Sequence, residues 1–158
     1  MKKIIHLIAI LSMLSCQSQN IQPMEPTIDN QFEKLDFNLL NEINKKRYIQ
    51  KIDIDENYTE LILLTKTITF RLTYKNSYFK IIKVYNNNGD IKLKGIGFNG
   101  NAFQKGIWYE FDEQGNLIKE IDYDKPYKFT FEDLLKFCEK EKIQVDKGPI
   151  LLEKRLVL

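Results

Sequence analysis

The sequence holds a single histidine, His6, in 158 residues, with two cysteines, Cys16 and Cys138, and one tryptophan, Trp108. His6 lies in an N-terminal stretch read below as removable, which leaves a mature chain without imidazole. That excludes Ser-His-Asp and Cys-His catalysis, imidazole general bases and His-containing zinc sites. One unmodified cysteine cannot build a thiolate metal site, and no cofactor motif stands out. Charge of one sign is also lacking. The formal net charge is +2, both charges come from Lys2 and Lys3, and removing them leaves a balanced chain. A nucleic-acid binder needs surplus Lys and Arg to displace counterions, so none is expected. Only 2 Ala accompany 21 Ile, a bias that fits an AT-rich genome better than a function. Hydrophobic residues at 43% and charged residues at 29% nevertheless suit one folded domain.

The chain also lacks an apolar run long enough to span a bilayer, which takes ~20 residues. The longest, Ile4 to Leu14, follows Lys2 and Lys3 and ends at Ser15-Cys16. Charged n-region, short apolar region and small residue before Cys resemble the lipobox of bacterial lipoproteins. Residues 1–15 are then a signal peptide, Cys16 is lipidated, and the partner of the N-terminus is a membrane. Several acyl chains hold more firmly than one, at ~0.8 kcal/mol per buried methylene. Residues 16–30 read as the lipidated Cys and a flexible tether, polar and interrupted by Pro23 and Pro26. No acidic cluster follows Cys16, which favours a periplasm-facing location over the cell surface. With Cys16 modified, Cys138 has no disulfide partner in the chain.

Residues 31–158 read as a single α+β domain, an antiparallel β-meander with an N-terminal and a C-terminal helix packed on one face. Phe32, Leu35, Leu39 and Ile43 recur at helical spacing, predicting a helix over 31–46 capped by Asp29 or Asn30. From Tyr48 the period becomes two. Ile68, Phe70, Leu72 and Tyr74 point one way and Thr67, Thr69, Arg71 and Thr73 the other. Strands are expected near 48–54, 58–64, 67–74, 78–85, 90–98, 106–111 and 117–123. A second helix is expected near 130–142, capped by Thr130, with Phe131, Leu134, Leu135 and Cys138 on one face. The runs 150–152 and 156–158 are a final strand or an abrupt end.

Two segments repeat. Tyr85-Asn-Asn-Asn-Gly89-Asp-Ile91 aligns with Phe111-Asp-Glu-Gln-Gly115-Asn-Leu117, each a strand, a turn with Gly at the left-handed position and a return strand. A third copy is not visible. With Gly106-Ile107-Trp108-Tyr109 before it, the second copy resembles the MORN-repeat-like hairpins of bacterial proteins, some of them toxin–antitoxin components. The stretch from Gly95 to Ile143 is similar to lipoproteins of Bacteroidetes. These resemblances imply binding of a protein or envelope component and no particular chemistry.

Four motifs invite chemistry. Gly95-Ile96-Gly97-Phe98-Asn99-Gly100 matches G-x-G-x-x-G but lacks the helix that would meet a pyrophosphate, and reads as a bend between hairpins. Asp53-Ile54-Asp55-Glu56-Asn57 opens like a calcium loop, but Tyr58 and Leu64 occupy its sixth and twelfth positions, and a solvated turn is expected. Glu110, Asp112, Glu113, Glu120, Asp122 and Asp124 could hold a hydrolase pair or form a charged outer face. Cys138, on an apolar helix face, reads as a buried, inert thiol.

Alternation sends Trp108 and Glu110 to one face of their strand and Tyr109 and Phe111 to the other. Tyr109 and Phe111 suit the core. Trp108 and Glu110 are then the candidate partner-binding residues, Trp being enriched at binding hot spots. The expected function is a lipid-anchored, non-enzymatic binding module of the bacterial envelope, immunity- or antitoxin-like, with a toxin or envelope component as partner. The alternatives are an envelope hydrolase using a carboxylate pair and a purely structural envelope lipoprotein.

Overall fold

The computed structural model describes residues 25–100 and 103–149. Cys16, residues 1–15 read as a signal peptide, and the apolar runs 150–152 and 156–158 lie outside the described residues. The chain folds as an α+β domain. Helix α1 (Phe37–Lys46) precedes seven strands and helix α2 (Phe131–Lys140) follows them. The strands are β1 (Tyr48–Ile52), β2 (Tyr58–Leu63), β3 (Thr67–Thr73), β4 (Phe79–Asn86), β5 (Ile91–Phe98), β6 (Gln104–Phe111) and β7 (Leu117–Asp122). They form one sheet in sequence order, each antiparallel to the last.

The first helix is shorter than its spacing predicts. Asp36 caps it by accepting from the backbone N–H groups of Asn38 and Leu39, so residues before 36 are not helical. They are needed elsewhere. Residues 25–35 lie as an extended strap along the sheet, where Leu35 N–H donates to Gly89 O and Ile91 N–H to Glu33 O. Pro26 is buried, so the segment read as tether is laid down from Glu25 onward. Phe32 and Leu35 do serve the core, but from this strap. Phe32 meets Phe111 edge-on at 6.1 Å between ring centroids.

The core lies between this layer and one face of the sheet. Leu35, Ile43, Ile49, Leu61, Ile68, Tyr85, Ile91 and Phe111 fill it, with Tyr109 packed against them. Ile43, fully enclosed, contributes about 1.5–3 kcal/mol by leaving water. The same face ends, beyond Ile81, in an aromatic cluster. Phe79 meets Phe131 at 4.6 Å, and Phe98 stacks on Phe103 at 5.3 Å. Phe131 is the first residue of α2, so this helix docks by its first turn. Thr130 and Asp133 close a capping box there. Cys138 is buried and free.

Three hairpins share one turn. In 86–90 and 112–116 the first residue donates its N–H to the carbonyl of the fifth, and the fourth donates back to the first, with Gly89 and Gly115 left-handed at φ +90° and +87°. The loop 53–57 is bonded in the same way, with Glu56 at φ 61°. A third copy of the turn therefore exists. Its glycine is replaced by glutamate, which removed the signal that marks the other two.

Candidate interaction face

Among the described residues, no helix or strand covers the second face of the sheet. Period-two alternation builds it. Ile49 and Leu61 turn to the core, so Tyr48, Gln50, Tyr58, Glu60 and Arg71 turn outward. Gln50, Glu60 and Arg71 are direct cross-strand partners on β1, β2 and β3. Glu60 is the hub of the row. Its Oε2 accepts from the Arg71 guanidinium at 2.6 Å, and its Oε1 accepts from the Tyr48 hydroxyl at 3.0 Å. Gln50 hydrogen-bonds both the Tyr48 and the Tyr58 hydroxyls. Burial, then the Tyr58 and Glu60 contacts, push the Tyr48 phenol well above its ordinary range, so it stays protonated. On β4, burial and then the nearby Arg71 charge hold the Lys80 ammonium below its ordinary value. The row and the neighbouring Lys80, whose Nζ donates to Asn99 O at 3.3 Å, thus set two cations against the Glu60 carboxylate.

The sequence placed the site elsewhere, on Trp108 and Glu110. Both do turn away from the core, but Trp108 is only 4% exposed. The correction comes from Gly95, on the neighbouring strand. A Cβ there would fall inside the indole, and its absence leaves a slot in which the ring lies flat. The indole Nε1–H donates to Ile96 O at 3.0 Å, and Tyr123 closes one side at 6.0 Å. Trp108 is therefore a packing residue of the second face and not an exposed anchor. The same observation corrects the reading of Gly95 and Gly97 as a bend. They lie inside β5, where Trp108 and Ile82 pass over bare backbone.

Glu110 is half-buried. It lines a shallow recess of about 350 Å³ with Lys92, Asp112, Glu113 and Ile118. This is where the carboxylates gather, but Asp112 is engaged by its turn. It accepts from the backbone N–H groups of Gln114 and Asn116 and from the Asn116 amide. These bonds, the Asn116 side chain first, lower its pKa, the reverse of what a general acid needs. Asp53 is spent in the same way on Asn57 and Asp55, the backbone bond from Asn57 lowering its pKa most. Among the described residues, no group of three or more His, Cys, Asp or Glu is placed to hold a metal ion.

A second cluster of ions lies on the covered face. Lys94 is 1% exposed, and its Nζ donates to Asp29 Oδ1 at 2.8 Å and to Gln31 O at 2.6 Å. Lys83 pairs with Glu33 at 2.8 Å, and Glu33 also accepts from the Tyr85 hydroxyl at 3.1 Å. Each bond joins the strap to the sheet. The Lys94 hydrogen bond holds the Asp29 carboxyl below its usual range. Burial, then Glu33, keeps the Tyr85 phenol protonated far above its own. Nothing local in the sequence signals this clasp, because its partners are up to 65 residues apart.

No helix among the described residues is long and apolar enough to cross a membrane. No family model, no curated protein and no solved structure matches the chain.

Proposed function

We propose that the chain is a lipid-anchored, non-enzymatic binding module of the bacterial cell envelope that takes a protein partner on the open face of its sheet. The observation that carries this reading is the division of the sheet into a covered and an uncovered face. A strap and α1 close one side, while the other presents Tyr48, Tyr58, Glu60, Arg71 and Lys80 in a single patch. Tyrosine and arginine are the residue types that most often anchor interfaces. The surplus of cation suits a partner with an acidic side chain at its centre, as an immunity-type or antitoxin-like domain covering a toxin would require. Lipid on Cys16 supplies the membrane attachment, with the domain facing the periplasm.

The test is site-specific photocrosslinking in intact cells from Tyr58 and from Ile118, with the lipidated chain expressed at its native level. The expected result is one protein crosslinked from Tyr58 and not from Ile118, lost in Arg71→Glu while the domain stays folded. Crosslinking that survives Arg71→Glu, or comes equally from both positions, would move the partner off the Tyr48–Arg71 patch.

A second reading, a hydrolase, draws on the recess holding Glu110 beside Asp112 and Glu113. With Asp112 held by its turn, Glu110 and Glu113 are the pair left to act. Loss of a glycan- or peptide-cleaving activity in Glu110→Gln, with the fold intact, would favour it over the binding module.

A further inference from the structure

The described chain begins at Glu25, and Glu25 is tied to the second helix. Its carboxylate pairs with the Lys105 ammonium. That same ammonium stands 4.6 Å from the centre of the Phe79 ring and 5.8 Å from that of Phe131, the first residue of α2. One lysine therefore joins the start of the strap to the N-terminal turn of α2. Around that turn four large exposed apolar side chains collect. Phe129 is 80% exposed and Tyr127 71%. Leu134 and Phe137, three residues apart on one shoulder of the helix, are also exposed. Phe131, Leu135 and Cys138 hold the helix to the domain from the adjoining face. Lys125, Lys128, Lys136 and Lys140 are interleaved with this apolar set, long side chains that can lay their stems on apolar surface and keep their charge in water.

We infer that this α2 shoulder, Tyr127, Phe129, Leu134 and Phe137, is the surface by which the domain rests on a lipid bilayer. The inference deepens the proposed function and rests on lipidation at Cys16. Eight residues lie between Cys16 and Glu25, and the nine steps, at ~3.3–3.6 Å each, reach at most about 32 Å, however they are arranged. An acyl anchor at Cys16 thus keeps the Glu25 end of the domain close to the headgroups, and α2 is what that end presents. Aromatic side chains with an apolar body suit the headgroup–acyl boundary. A partner protein is the weaker occupant, since the anchor brings lipid and not protein to this end. With the sheet standing on its α2 end, its open face is left free along its length.

The experiment uses the full chain, purified from membranes and reconstituted in vesicles of phosphatidylethanolamine and phosphatidylglycerol. Phe129→Trp adds an indole at the shoulder, and Leu64→Trp adds one at the β2–β3 turn, at the opposite end of the strands. Trp108 is buried in both and serves as a constant background. Mass spectrometry of each sample reads the acyl mass on Cys16. Brominated acyl chains should quench the indole added in Phe129→Trp by roughly twofold, the loss expected of a ring seated at the acyl boundary, and leave the Leu64→Trp signal unchanged. An acylated chain whose Phe129→Trp indole stays open to acrylamide and blind to bromine overturns the inference and leaves the anchor standing. A chain without acyl mass overturns both. An indole shielded from acrylamide in the vesicles yet blind to bromine would mean that protein and not lipid covers the shoulder, and would overturn it too.

Discussion

The covered and open faces of the sheet use the same ionic side chains for different ends. On the covered face Lys83 and Lys94 are cross-strand neighbours, like charges side by side under the strap, Lys94 sealed from water and Lys83 partly open to it. They are tolerated because Glu33 and Asp29 descend on them from the strap. Each pair joins segments at least 50 residues apart in the chain. On the open face Gln50, Glu60 and Arg71 join strands that the backbone ladder already holds, so their bonds add little to the fold and leave the row free to meet another molecule. Burial and chain separation, not residue type, decide whether an ion pair is a clasp or a contact surface.

Neighbouring residues on β2 give the sharpest contrast. Leu61→Ala, in the core, should cost about 2–5 kcal/mol in denaturant unfolding, the range for a large apolar side chain removed from a closed site. Ile62→Ala, on the open face, should cost under ~1 kcal/mol, since less surface is buried and water can fill the gap. Equal costs would mean that the open face is covered in solution.

Next in size is the closed spot around Trp108 on the open face. Gly95→Ala places a methyl where the indole lies and should destabilise by about 1–3 kcal/mol through overpacking. Trp108 emission should move to longer wavelength as the ring leaves its slot. A stable variant with unchanged emission would show that the slot is roomier than described.

Acid should open the clasp before it melts the β2–β3 ladder. The Asp29 pKa is depressed in the folded chain, so its contribution is present above the ordinary carboxylate range and is lost as pH falls through the lowered value. Hydrogen exchange at the Leu35 and Ile91 amides, which bond strap to sheet, should accelerate in that acid range while amides of β2 and β3 stay protected. Uniform acceleration would mean that the strap does not open on its own. The smallest effect is expected at Arg71→Ala, within about 1 kcal/mol for a pair more than a third exposed at the arginine. A larger loss of melting temperature would make the Glu60–Arg71 pair structural and weaken its claim as a binding site.

The strands were legible in the sequence because period-two alternation recurs through most of 48–123 and the turns, Leu64-Thr65-Lys66 excepted, carry Asn, Gly or Asp. The expected start of β7 at Leu117 matches, and β2 and β3 differ from expectation only at their C-terminal ends. The start of α1 was not legible. Phe32 and Leu35 fit a helical stripe, and nothing local reveals that Gly89 and Ile91 need the strap's backbone as partners. The turn at 53–57 was expected, but its kinship with the other two was hidden because the cue is conformational, a positive φ on Glu56, a residue type that seldom adopts one. For Trp108 the facing was readable and the burial was not. Its cover is an absence, the missing side chain of Gly95, thirteen residues away and brought alongside only by the pairing of β5 with β6.

That pairing is also where the meander is least continuous. Between Lys94–Tyr109 and Ile96–Lys105 the register slips, and Gly106 takes up the slack at φ +64°. The backbone ladder skips there, and the indole N–H spans the gap to Ile96 O as a rung made from a side chain. The molecule therefore has a seam, with β1–β5 and the N-terminal layer on one side and β6, β7 and α2 on the other. The sole tryptophan straddles it. Its emission is a gauge of whether the second part peels from the first. Fluorescence that changes before ellipticity on heating would mark a domain that comes apart in two steps, and coincident curves would mark a seam as strong as the rest of the sheet.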